Sequence, residues 1–369
     1  MTRSSRRGFL GQALAVGLIG PAVASEIPLY GDGTHDDWQG ITNALANQRT
    51  VNLGPRIYKV TKELIVPEGA ALVGVPGKTV IQGARGFNIV VPRSNSRVAG
   101  IIIDGAFGND DKTGASAVVL VNATGVRLDH VLVRNVSFQG IALLSSSNNT
   151  ITDCAAQNCG HRGINMSAGS SNNVVTGYHA ENCWRAGLLV GYRSNHNTVR
   201  NFSLSGFRQS VGGAGLWVHM NSDDNTFSNF TIGPEKAEDA SCPAILLGAG
   251  CVGNVFEHGM VTGARNRGIY VWNENVDHVN DLHTSNTAVE NNHFTDISVQ
   301  GTGTPRSYGI GFKSDNGQSI GPNEFDNIKI SGFAIGIDDV DSHATGLRFH
   351  DIRFDKITAE KMHLLDSPR

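Results

Sequence analysis

Cysteine is scarce in this chain, and its number is odd: five residues, at 154, 159, 183, 242 and 251. No C-x-x-C pair occurs among them, which argues against a structural zinc site, and an odd count leaves at least one thiol unbridged. Long apolar runs are also missing. The longest, Phe9 to Ile19, is interrupted by glycine and too short to span a bilayer. Basic residues do not outnumber acidic ones, 30 Lys and Arg against 33 Asp and Glu, for a formal charge of -3. Such a chain is a poor nucleic-acid binder unless its cations gather on one face. Helix-forming stretches are few. In their place stand 45 glycines with abundant Asn, Val, Ile and Thr, a composition that favours a turn-rich β protein.

The opening "MTRSSRRGFLGQALAVGLIGPAVAS" has the form of a cleavable export leader. It carries Arg6-Arg7 before a short apolar run and ends in Ala22-Val23-Ala24. A twin-arginine leader over 1–24 predicts a mature protein in the periplasm or outside the cell, with no membrane attachment once it is removed. Its loss takes three arginines and no acid, so the charge of -3 becomes -6. Twin-arginine passengers are exported folded, so the cysteines need form no bridges.

Two interleaved columns run through the sequence. One begins with asparagine: "NTIT" at Asn149, "NVVT" at Asn173, "NTVR" at Asn197, "NTFS" at Asn225, "NVFE" at Asn254, "NHFT" at Asn292 and "NEFD" at Asn323. The other is glycine, at 140, 163, 187, 215, 268, 309 and 336, with Ala244 in the vacant place. A unit of about 24 residues with short alternating strands fits one coil of a β-solenoid, whose coils stack about 4.8 Å apart. Asparagines in one column then bond to those above and below as a ladder. Leucine-rich repeats have a similar period, but their L-x-x-L-x-L pattern is absent.

These columns resemble the pectate-lyase-like superfamily. The stretch "YGDGTHDDWQGITNALANQRTVNLGPRIYKV" is similar to its G-D-G-x-x-D-D opening, cap helix and first coil. The resemblance implies an all-β fold, a single-stranded right-handed parallel β-helix with a short N-terminal capping helix. We place the cap at 25–50, its helix near 36–47, the β-helix at 51–355 and a tail or cap at 356–369. Asp36 and Asp37 are expected to cap the helix that buries Ile41 and Leu45. Lyases, hydrolases, epimerases and phage tailspikes share this fold, so it leaves the reaction open.

Strand alternation assigns the faces. After each column glycine the first and third residues are apolar and point inward, as in Ile164/Met166 and Leu216/Val218. Outward positions then hold Asn165, Trp217, His219, Tyr270, Trp272 and Lys313. The strand entrances hold His161, Arg162, Arg185, Arg267 and Tyr308. A plain surface would show Ser, Thr, Asn and Lys. The row reads as a ligand groove, with a loop-covered or subunit-contact face as the alternative. Insertions at 105–116, before Gly215, before Ala244 and after Trp272 fall where groove walls would stand.

Arginines seat carboxylates and aromatic rings support sugars, so acidic polysaccharide or oligosaccharide is the expected partner. β-Elimination at a uronic acid needs a cation at the C6 carboxylate, a base for the C5 proton and an acid for the leaving O4. His161, Arg162, Arg185 and His219 are the candidate catalytic residues. Asn165, Trp217, Arg267, Tyr270, Trp272 and Lys313 are the candidate binding residues, with no metal assigned. Calcium is weakly supported, by Asp110/Asp111 and Asp277/Asp281 alone. "CGHRGINM" resembles the "GHGISI" segment of polygalacturonase-like hydrolases, but their aspartate motifs on preceding coils are missing. Asp104, Asp110, Asp111, Asp338 and Asp339 are the carboxylates left to a hydrolase. The Tyr-Gly-Phe-Asp-Pro-His type segment of alginate epimerases is also absent. Hydrolase, C5-epimerase and non-catalytic binding protein remain the alternatives to a lyase.

Overall fold

The computed structural model of the chain describes residues 29–358, apart from 85, 107–113, 208–212, 237–241, 275–287, 316–318 and 340–343. The expected export leader, the tail from 359, most of each expected groove wall, and Asp110, Asp111, Asp277 and Asp281 lie outside the described residues.

A short strand with one apolar face cannot bury it alone, so each coil leans on the next. Eleven strands that follow the glycine column pair in parallel and in chain order. They run from Leu64–Val66 through Arg162–Ser167 to Ile335–Asp339. We term them the glycine sheet. Strands that follow the asparagine column, such as Val174–Thr176 and Thr198–Ser205, stack likewise on the far side of each coil. The result is an all-β parallel solenoid of about eleven turns, with one short helix, Trp38–Asn47, near its start. Ile41 and Leu45 of that helix join the continuous core. Among the described residues no helix is long and apolar enough to cross a membrane.

The helix start differs from expectation in one respect. Asp37 stands at the N-cap position, yet its carboxylate makes no capping bond. It turns back instead to accept from the amides of Tyr30, at 2.6 Å, and Gly31, at 3.2 Å. Asp36 serves the helix, accepting from Trp38 N at 3.0 Å. An amide pair arriving from the preceding segment outcompetes the helix for Asp37.

The asparagine ladder forms as one row. Nδ2 of Asn149 donates to Oδ1 of Asn173 at 3.0 Å, and the same bond repeats through Asn197, Asn225, Asn254 and Asn292 to Asn323. Each receiving oxygen also accepts the backbone N–H of the asparagine before it. These amides lie in the core, where an unpaired one would cost about 1–3 kcal/mol. The glycine column has an equally local cause. A Cβ at Gly163 would sit 2.2 Å from the Tyr178 hydroxyl and 2.5 Å from the carbonyl oxygen of Gly187. Gly268 would meet Val299 at 2.2 Å and Gly309 O at 2.5 Å. Gly163 and Ile164 both face inward, and only a residue without a side chain fits the first of these places.

Two further stacks accompany the columns. Ser146, Ser170, Ser194 and Ser222 form a hydroxyl ladder, each amide donating to the next Oγ at 3.0–3.2 Å. Phe227, Phe256, Phe294, Phe325 and Phe349 stack face to face at centroid separations of 4.5 to 5.1 Å. All five cysteines are buried, and none forms a disulfide. Cys159 and Cys183 lie against each other on adjacent coils, and contact with Cys183 together with burial holds the Cys159 thiol well above its ordinary range.

Candidate functional site

The glycine sheet presents three outward columns. The first runs Arg162, Ala186, Ala214, then Pro243, Arg267 and Tyr308. The second runs Ala142, Asn165, Leu189, Trp217, Leu246, Tyr270, Gly311 and Asp338. Gly248, Trp272 and Lys313 stand in the third. Leu189, Trp217, Leu246, Tyr270 and Tyr308 form an apolar cluster separate from the solenoid core. The assigned faces are therefore the observed ones.

Their exposure is not what alternation suggests. Trp217 is 4% exposed, Tyr270 2% and Asn165 2%, so none is an open platform for a sugar. The reason is that cations already cover the rings. Arg185 lies over Trp217 with Cζ 5.1 Å from the ring centroid, and Arg162 at 5.8 Å. Arg267 stands 4.3 Å from Tyr270 and 5.7 Å from Tyr308, and Lys313 Nζ lies 4.9 Å from Trp272. Each aromatic backs a cation, an arrangement worth most where water is excluded. Lys313 is further tied to Asp315 at 3.0 Å.

His161, Arg162, Arg185, Asn165 and Trp217 come together on two adjacent coils and a third. Arg185 Nη1 donates to His161 Nε2 at 3.2 Å, and the His161 ring stacks on Phe138 at 4.6 Å. Arg162 and Arg185 do not occupy equivalent places on their coils. Arg162 pairs with Ala186, and Arg185 sits beside His161, whose carbonyl accepts its amide. Burial, with Arg162 and Arg185 adding repulsion, pushes the His161 imidazole down to about 3, so it is neutral. Burial first, and then Arg185, brings Arg162 down to about 9.

Arg162 is the anomaly of the site. Arg162 is 8% exposed, and its Nη1 makes a long contact to Asn165 Oδ1, at 3.4 Å. Its Nε has no partner, and among the described residues no carboxylate pairs with it. Asn165 is itself fixed by Gln139 and Ser167. A cavity of about 460 Å³ opens beyond Ser167, between Gly169, Tyr192 and Arg193. The Tyr192 phenol is close enough to act electrostatically on both Arg162 and Arg185.

His219 lies beside Trp217 at 5.0 Å and donates from Nε2 to Glu274 Oε1. Glu274 was not foreseen: it opens the insertion after Trp272 and reaches back across two coils. A carboxylate on one ring nitrogen fixes the tautomer and orientation of a histidine. Of the acids considered for hydrolysis, Asp104 is held by Arg134 at 2.7 Å and by Asn135, away from this sheet. Asp338 stands in the Tyr270 column and Asp339 follows it. Among the described residues no three His, Cys, Asp or Glu side chains gather as a metal seat, so calcium gains no support from them.

No curated protein matches this chain in sequence. A family model for the right-handed β-helix region matches residues 116–280. The catalytic domain of a GH87 α-1,3-glucanase solved with tetrasaccharides is 14% identical, with a TM-score of 0.69 over 89% of this chain. The chain spans 65% of the length of that domain. The catalytic unit of a thermostable GH87 α-1,3-glucanase from Streptomyces thermodiastaticus is 13% identical, with a TM-score of 0.68 over 90% of this chain and 68% of its own. The A-module of a mannuronan C-5 epimerase from Azotobacter vinelandii is 17% identical, with a TM-score of 0.61 over 89% of this chain and 97% of its own. The structural neighbours are thus carbohydrate-active enzymes, and the fold of this chain is the right-handed parallel β-helix, as the pectate-lyase-like resemblance implies.

Proposed function

We propose that this protein is a carbohydrate-active enzyme that acts on a uronic-acid-containing polysaccharide by elimination at C5. The observation that carries the reading is Arg162, a guanidinium buried on the outward face of the glycine sheet that pairs with no carboxylate among the described residues. A buried charge without a counterion costs several kcal/mol, and a ligand carboxylate would remove that cost. Support for an acidic chain also comes from the epimerase module, named for mannuronan, which this chain matches over nearly its whole length.

The local chemistry follows from the free geometry. A C6 carboxylate on Arg162 and Arg185 offsets both charges beside His161. It also draws the Arg185 guanidinium off Nε2, freeing the ring lone pair and raising the basicity of a group now held at about 3. The carboxylate, so neutralised, makes the C5 proton removable. His219, oriented by Glu274, is the second proton-transfer group, serving O4 as it departs. Trp217 holds the two guanidiniums in place.

Epimerisation shares this chemistry up to the carbanion and differs in reprotonation at C5. Incubation of the mature protein with polygalacturonate and polymannuronate, following ultraviolet absorbance and chain length together, tests the proposal. New absorbance with shortening is the expected result. Proton exchange at C5 without shortening marks an epimerase. Shortening without absorbance marks hydrolysis and overturns elimination.

A further inference from the structure

Arg162 and Arg267 occupy the same outward column of the glycine sheet. The strands beginning at Arg162, Ala186, Ala214, Pro243 and Arg267 follow one another, so the two arginines stand four coils apart. At about 4.8 Å per coil the separation along the axis is about 19 Å. Between them this column holds only Ala186, Ala214 and Pro243, and no charge. Arg267 is half-buried where Arg162 is buried, and otherwise shares its surroundings. Its guanidinium lies over aromatic rings, Tyr270 and Tyr308, its Nε is buried without a partner, and among the described residues no carboxylate pairs with it. Asp338, which follows Gly311 in the Tyr270 column, forms no ion pair with it.

We propose that Arg267 with Tyr308 is a second carboxylate seat for the same acidic chain, so the sheet measures oligouronate length. This rests on the reading of Arg162 as a uronate seat. A saccharide laid along the solenoid axis advances by about one unit per coil. Units four apart then place their carboxylates on Arg162 and Arg267, and chains too short for both reach one seat only. The alanines and the proline leave the intervening column without cationic grip, so affinity rises in one step rather than unit by unit.

Calorimetric titration with oligogalacturonates and oligomannuronates, from disaccharide to octasaccharide, tests this. In the wild-type protein affinity should jump by roughly tenfold to a hundredfold at the penta- or hexasaccharide, the gain expected of one added charge-assisted pair. Arg267→Gln should abolish the jump and leave disaccharide and trisaccharide binding at the Arg162 seat intact, and Arg267→Lys should retain part of the jump. Circular dichroism and thermal melting establish that both variants fold. A smooth rise with length, or a jump that survives in Arg267→Gln, overturns the second seat while leaving the first. Loss of short-chain binding in Arg267→Gln also overturns it. Failure of every oligouronate to bind the wild-type protein overturns both.

Discussion

Arg162 shows at the scale of one residue how function and stability pull apart. Replacing it by Met keeps an unbranched apolar stem and removes a buried charge that no carboxylate among the described residues offsets. Arg162→Met should therefore raise stability by about 1–4 kcal/mol while abolishing binding of acidic chains. Denaturant unfolding beside a binding titration reads both, and a destabilised variant would show that the charge is paired in the free protein. His161 gives a pH signature. Its folded value, about 3, lies below the ordinary histidine value, so the unfolded chain binds the proton first as pH falls. Stability on this account declines from about pH 6.5 towards 3, and His161→Gln should flatten that decline. Carboxylate binding raises the same group, so at mildly acid pH it should take up a proton, measurable by calorimetry in buffers of different ionisation heat. Glu235 has the opposite sign. It is 7% exposed, and burial raises its carboxyl to about 8 against the opposing pull of the Arg265 amide and guanidinium. The unfolded chain releases this proton from about 4.5, so stability should fall as pH rises from there to about 8, by a few kcal/mol. Glu235→Gln should remove that slope. None of these environments is written in the sequence. Alternation tells which way Trp217 points, but not that two guanidiniums cover it. The His219–Glu274 pair spans 55 residues and depends on how an insertion returns.

At the scale of the repeated element, local pattern and structure agree closely. The asparagine and glycine columns were legible because each is enforced in every coil by the same neighbour one period away. Asn225 gives the sharpest test. Its Oδ1 accepts both N and Nδ2 of Asn197 at 2.9 Å, and its Nδ2 donates to Asn254 at 3.0 Å. Asn225→Ala strands two buried donors and should cost about 3 kcal/mol or more, with exchange protection lost first in the adjoining coils. Gly163→Ala meets the Tyr178 hydroxyl and a backbone carbonyl, and overpacking of about 1–3 kcal/mol should follow in thermal melts. The serine ladder was equally present in the sequence, three residues before Asn149, Asn173, Asn197 and Asn225. So was the phenylalanine stack, two residues after the later asparagines. Both went unread because serine in a turn and phenylalanine in a strand each have an ordinary explanation. Asp37 failed as a cap for the converse reason: the rule for helix starts is local, and its competitor is a backbone segment arriving from outside the helix.

The whole molecule is a one-dimensional stack in which the strands of each coil pair only with those of the coils beside it. A solenoid of this kind carries its core, its ladders and its outward columns in parallel along one axis. Arg162, Arg185 and His219 are thus held by the same strands that bury Met166, Leu188 and Val218, and a change in coil packing moves the site with it. The asparagine ladder has a consequence for inheritance. Each rung makes the same bonds to the rung before and the rung after, so the junction between any two coils is chemically the same junction. A stretch of coding sequence one period long can be duplicated or lost, and the ladder closes over the change without new residues being found. Groove length, the spacing between distant side chains on the glycine sheet, and hence the size of what is gripped, can then change by whole coils in a single genetic event.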